Sequence, residues 1–279
     1  MGKKLFTFFI NSNLFIAGCA VVMVWQTNHL LLNDHYNNYF LFFVFFSTIT
    51  SYSFHWYLTT ESAIPSPRIE WGGRNKALHL VLFFIGIIGT GILFFYLLDY
   101  WYWLSVSALI TFLYTAPKIP HPLFRSLRKI AVAKTLFLAI VWMFVTTILP
   151  IEIADEPWRN EFYFFIGHRF FLIYAICMLF DYRDREDDDI SGIRSLISFL
   201  CEKNISLLFY FIIALFVTST ILLAGYGISN IQIAILLLPG VIVAVLFNYS
   251  KKHFTDTLYY FVLDGMMAFS SLLMLIPGI

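Results

Sequence analysis

Charge is scarce in this chain. Only 13% of its 279 residues are Asp, Glu, Lys or Arg, against about 25% in an ordinary soluble domain, and 60% are hydrophobic. That leaves too little polar surface for a water-soluble domain. Cysteine is scarcer still: Cys19, Cys177 and Cys201 show no metal-binding spacing, and the first two fall in apolar runs where a thiol acts as a small packing residue, so neither a disulfide framework nor a zinc site is expected. A net charge of +1 provides no basic surface, which argues against a nucleic-acid partner.

What the chain has instead is long apolar runs. At roughly 30 residues per helix plus loop, its length and composition correspond to a single all-α polytopic membrane domain over residues 1–279, with candidate spans at roughly 5–25, 39–60, 77–98, 100–116, 130–150, 162–182, 205–224, 229–247 and 257–278. The first run follows Lys3 and Lys4 and lacks a small-x-small cleavage site, so it reads as a retained helix rather than a signal peptide.

The loops alternate in charge. Lys3 and Lys4, then Arg68, Arg74 and Lys76, then Lys118, Arg125, Arg128 and Lys129, then Arg183, Arg185, Arg194 and Lys203, then Lys251 and Lys252 all fall on one side, while the intervening loops hold Asp34, Asp99, Glu152, Asp155, Glu156 and Glu161 with Arg159. The positive-inside rule then places the N-terminus in the cytoplasm and the C-terminus outside, which requires an odd number of spans and is met by nine. The expected location is the cell (inner) membrane, with the longest loops, and any chemistry, on the cytoplasmic face.

One segment is foreign to lipid. Phe180-Asp181-Tyr182-Arg183-Asp184-Arg185-Glu186-Asp187-Asp188-Asp189 closes the sixth span. At about 100° per residue, a continued helix would aim Asp181, Asp184 and Asp188 at one place and turn Asp187 and Asp189 elsewhere. Such a stripe resists ionisation unless a cation sits among its members, and magnesium bridging to a phosphate is the usual answer. The plainer reading is a solvated acidic loop held by Arg183, Arg185 and Arg194.

With Gly192, Arg194 and Ser195 following in order, this segment resembles the second aspartate-rich motif, D-x-x-D-x-x-x-D, of the UbiA superfamily of intramembrane prenyltransferases. Leu113-Tyr114-Thr115-Ala116-Pro117-Lys118, with Leu127-Arg128-Lys129 beyond it, looks like that family's loop between helices four and five. The resemblance covers nearly the whole chain. It implies nine helices around a cytoplasmic-side cavity, Mg2+ held by Asp181, Asp184 and Asp188, and transfer of an isoprenyl group from an isoprenyl diphosphate to an aromatic or other lipophilic acceptor within the lipid bilayer. Arg68, Lys118, Arg128 and Arg194 are the implied diphosphate contacts. The chain departs from the family at the end of the second span. There Tyr52-Ser53-Phe54-His55-Trp56-Tyr57-Leu58-Thr59-Thr60-Glu61 stands where the family carries a first motif, N-D-x-x-D-x-x-x-D. The wall facing the aspartates is therefore expected to be aromatic and hydroxylic, built by Tyr52, His55, Trp56 and Thr59, without a second magnesium. A noncatalytic relative that binds an isoprenoid or supports a membrane complex is the alternative.

Lys134, Arg169 and Asp264 lie inside apolar runs and are expected to face the bundle interior with partners. His55 and His168 read as packing residues rather than bases. The aromatic share of 20% suits either the stabilisation of a prenyl cation or interfacial packing.

Overall fold

The computed structural model describes residues 2–59, 66–116, 119, 121, 134–190 and 196–277; the side chains of 134 and 187–190 are outside that description. Among the described residues all regular structure is helical. Eleven labels suffice: α1 (Gly2–Asn11), α2 (Leu14–Leu31), α3 (Asn38–Leu58), α4 (Pro67–Arg74), α5 (Lys76–Phe95), α6 (Trp101–Thr115), α7 (Lys134–Met143, continued through Phe144–Ile148 and Leu149–Ile153), α8 (Asn160–Ile190), α9 (Glu202–Leu222), α10 (Asn230–Ser250) and α11 (Asp264–Leu273).

Among the described residues six helices, α2, α5, α7, α8, α9 and α10, are long and apolar enough to cross a membrane, which marks the chain as an integral membrane protein. The other three expected spans are also helical, with weaker signals. α3 has 21 residues, yet its Ser, Thr, Tyr and His side chains dilute its hydropathy, and α6 and Leu258–Leu273 are apolar but shorter. The first crossing also begins later than the apolar run implied. Asn13 takes a left-handed conformation (φ 67°), which asparagine tolerates better than most residues, so the run breaks into α1 and a crossing helix at Leu14–Leu31.

Local chemistry explains several helix ends. Asn37 accepts a hydrogen bond from the Phe40 N–H and opens α3; Ser66 does the same for Ile69 ahead of Pro67 at the start of α4; Ser229 and Gln232 form a reciprocal capping box on α10. Close helix packing rests on glycine. A Cβ at Gly86 would lie 2.9 Å from the Thr50 amide nitrogen and 3.0 Å from the Phe46 carbonyl, so the backbones of α3 and α5 meet there. Gly240 makes room in α10 for the Phe216 ring of α9.

α8 is the central post, with 61% of its apolar window buried, while α5 is peripheral at 11%. Two π-helical stretches interrupt the spans, at Phe144–Ile148 and Leu258–Leu263. Such bulges shift the face a helix presents and occur often at functional sites. In the first, the Thr146 carbonyl accepts a hydrogen bond from Thr27 Oγ1 of α2 at 2.6 Å. The second contains Tyr259 and Tyr260 and leads directly into Asp264.

Candidate functional site

A cavity of about 1220 Å³ opens between these helices. Its described lining comes from α1 to α8 and their adjoining loops, from Lys251, Phe254 and Asp256 beyond α10, and from the second π-helical stretch and α11. The inner part is apolar, with Ala20, Phe43, Val141, Val145, Leu149 and Met267. The other end gathers charge: Asp181, Asp184, Arg183, Arg68 and Asp256 line it. An amphiphile with an anionic head and a hydrocarbon tail matches that division.

The acidic side of the opening is the last turns of α8. The helix continues to Ile190, as the aspartate register required, and Asp181 and Asp184, one turn apart, both line the cavity. Asp181 is buried, at 4% exposure, and accepts a hydrogen bond from Thr135 Oγ1 of α7. Asp184 is more open and is ion-paired with its neighbour Arg183, Nε to Oδ1 at 2.7 Å. Arg183 also donates to the Tyr260 hydroxyl at 3.0 Å and lies over the Phe180, Tyr259 and Tyr260 rings. Arg185 and Lys251, which also line the cavity, both pair with Glu202, at 2.9 and 2.8 Å, and Glu202 accepts from the Tyr182 hydroxyl, fastening the end of α8 to α9 and to the segment after α10.

The facing wall comes from α3 and α4. Tyr52, His55, Trp56 and Thr59 all line the cavity. The Trp142 indole donates to the Tyr52 hydroxyl at 3.2 Å, and the His55 ring stacks on Tyr114 with centroids 5.6 Å apart. Against this wall sits Arg68, 5% exposed, with its guanidinium carbon 4.4 Å from the Trp56 ring centre and 4.0 Å from that of Tyr260. Its backbone N–H donates to Asp256 Oδ2 at 2.8 Å, and its Nη2 donates to Asn13 Oδ1 at 3.3 Å. Burial lowers the Arg68 pKa from the usual guanidinium range, opposed by Tyr260 and by the negative charges of Asp264 and Asp256.

Among the described residues no three His, Cys, Asp or Glu side chains form a group that could hold a metal. The side chain of Asp188 is outside the described residues, as are Lys118, Arg128, Arg194, Gly192, Ser195 and Glu61. The structure thus brings together Asp181, Asp184, Arg68 and the four wall residues. The donor chemistry of Asp181 and Asp184 suits magnesium, a hard ion commonly held by one or two carboxylates plus substrate phosphate.

Several site residues escaped the sequence reading. Arg183 is indistinguishable there from a topology-setting cation. Tyr260 reaches the site through a π-helical register that no apolar periodicity reveals. Thr135 and Asn13 carry no signal that separates them from other small polar residues. Asp264, singled out as an intramembrane acid, does line the cavity.

The other intramembrane cation behaves differently. Arg169 is fully buried in α8, donates to the Met23 carbonyl at 3.2 Å and Gln26 Oε1 at 3.1 Å, and does not line the cavity. Gln26 is in turn bonded to Ser270 and Ser271, so this network joins α2, α8 and α11. His168 shares a hydrogen bond with Thr220 at 2.8 Å, in keeping with a packing role.

Comparisons with protein-family models, with curated proteins and with solved structures found no match.

Proposed function

We propose that the chain is a UbiA-like membrane prenyltransferase that moves an isoprenyl group from an isoprenyl diphosphate to an aromatic or other lipophilic acceptor. Its nine spans would lie in the cell (inner) membrane with a cytoplasmic N-terminus. One observation carries the reading: Asp181 and Asp184 line, beside Arg68 and Arg183, a cavity whose other described lining is mainly apolar and aromatic, with scattered hydroxyls and Asp264. A diphosphate head and a prenyl tail have the same division of chemistry.

Asp181 and Asp184 would hold magnesium, with Asp188 as the third member of the stripe. Bound there, the ion would offset the negative charge of the departing diphosphate. Thr135 fixes the Asp181 carboxylate, and Arg183 orients Asp184 while contributing positive charge at the mouth. The apolar lining keeps water from the reacting allylic carbon, and the rings of Tyr52 and Trp56 offer faces to developing positive charge. The acceptor would enter the same lipophilic space and form a bond to the allylic carbon as the carbon–oxygen bond breaks, the bonding pair leaving with diphosphate and the acceptor's displaced proton passing to that diphosphate or to water.

A second reading has a specific observation in its favour. Asp184 is already neutralised by Arg183, and α3 carries no acid to complete a paired metal site, which suits a noncatalytic relative that binds an isoprenoid or supports a membrane complex. The deciding experiment is magnesium-dependent binding of a series of isoprenyl diphosphates to detergent-purified protein, followed by pyrophosphate release with a mixed acceptor pool. Binding with release and a prenylated product supports the enzyme; binding without release supports the relative.

A further inference from the structure

In the wall that faces the aspartates, Arg68 stands out by what it lacks. It is a buried cation that lines the cavity, yet no carboxylate lies within ion-pair distance of its guanidinium among the described residues. Asp256 bonds its backbone N–H instead, and Asp264 acts on it only through space. Of the five N–H donors a guanidinium offers, the Asn13 contact uses one, and Nε has no partner. A buried charge is costly unless it is paired and hydrogen-bonded, and two aromatic faces compensate it only in part.

We propose that Arg68 binds the phosphate of an anionic amphiphile directly, without a metal ion, as the cationic half of a site whose other half is Asp181 and Asp184. The planar guanidinium, set in the angle of the edge-to-face pair Trp56 and Tyr260, is suited to paired hydrogen bonds with phosphate oxygens. Arg183, on the same Tyr260 ring, adds a second positive charge, shared with Asp184. The ligand chemistry is a phosphate or diphosphate head carrying an apolar chain; its identity as an isoprenyl diphosphate rests on the reading above, while the anion site does not.

The test measures binding of farnesyl diphosphate, inorganic pyrophosphate and phosphatidate to the purified full chain in detergent, each with EDTA and with magnesium. Farnesyl diphosphate is expected to bind in EDTA, and Arg68→Gln to weaken that binding about tenfold or more, the scale of a lost charge-assisted hydrogen bond. Arg68→Lys keeps the buried charge and loses the fork, so it is expected to fall between the two. The comparison of EDTA with magnesium in the unaltered protein requires no variant to fold. Farnesyl diphosphate binding that appears only with magnesium overturns the proposal and leaves the prenyl diphosphate reading standing. EDTA-resistant binding that is equally tight in Arg68→Gln overturns it too. Binding of phosphatidate or pyrophosphate through Arg68, with farnesyl diphosphate refused, upholds the anion site and defeats the prenyl reading. Refusal of all three under both conditions overturns both.

Discussion

The ends of α8 and α3 meet the same cavity from opposite sides with opposite chemistry. α8 presents carboxylates at one-turn spacing, whereas α3 presents rings and hydroxyls and, through α4, a buried arginine. The first arrangement can neutralise an anion only with an intervening cation. The second can do so directly. On the reading proposed above, the acidic face would accept a metal ion and the cationic face an anion, so the two would contribute to ligand binding by different physical routes. The acidic face is a product of helix register, because residues three apart on one helix share a side. The cationic face is assembled from α3, α4 and the second π-helical stretch, whose Trp56, Arg68 and Tyr260 are far apart in sequence.

The sharpest way to break this comparison is to remove carboxylates one at a time. Asp181→Asn and Asp184→Asn are each expected to lower prenyl transfer by about a hundredfold or more, the scale of losing one preorganised electrostatic contact at a reacting centre, while Asp187→Asn stays near the unaltered rate. Initial rates with saturating magnesium measure this. Equal losses at all three would show a diffuse acidic patch instead of a defined face. Arg68→Gln comes next, with its roughly tenfold loss of metal-free farnesyl diphosphate binding. If Arg68 is the anion-accepting group, Asp184→Asn should leave that metal-free binding intact, and a titration in EDTA with both variants separates the faces.

Smaller effects sharpen the picture further. Trp56→Leu removes one of the two rings that Arg68 rests on, a contact worth about 1 kcal/mol, and is expected to weaken metal-free binding roughly fivefold without altering magnesium dependence. Thr135→Val removes one donor to Asp181 and is expected to cost about 1 kcal/mol of stability, read as a lower unfolding temperature in detergent, with a modest loss of transfer. A change at Thr135 that matched Asp181→Asn in transfer would make that hydroxyl a partner in the chemistry.

The membrane class was legible in composition because crossing a hydrocarbon core demands long apolar helices wherever the chain goes next. The number of such helices was less legible. α3, rich in polar side chains that face the cavity, reads as a span by length and falls short by hydropathy, since residues that line a polar opening dilute the very signal used to find them. Asp181 and Asp184 were found by spacing alone. The candidate wall of Tyr52, His55, Trp56 and Thr59 was placed only through its position in a resemblance, and nothing in its composition indicates a cavity.

Sequence by itself determined that the chain lives in a bilayer, that its loop charges segregate, and that α8 ends in a helical row of acids, because hydropathy and helical periodicity are local properties. Tertiary structure alone decided which charges became partners. Arg183 is pinned to Asp184 by adjacency on α8, Arg185 is drawn off by Glu202, and Arg68 sits against Trp56 and Tyr260 with no carboxylate among the described residues within ion-pair distance of its guanidinium. Whether a buried cation is neutralised or left available depends on what packs against it, and that is settled by how the helices meet.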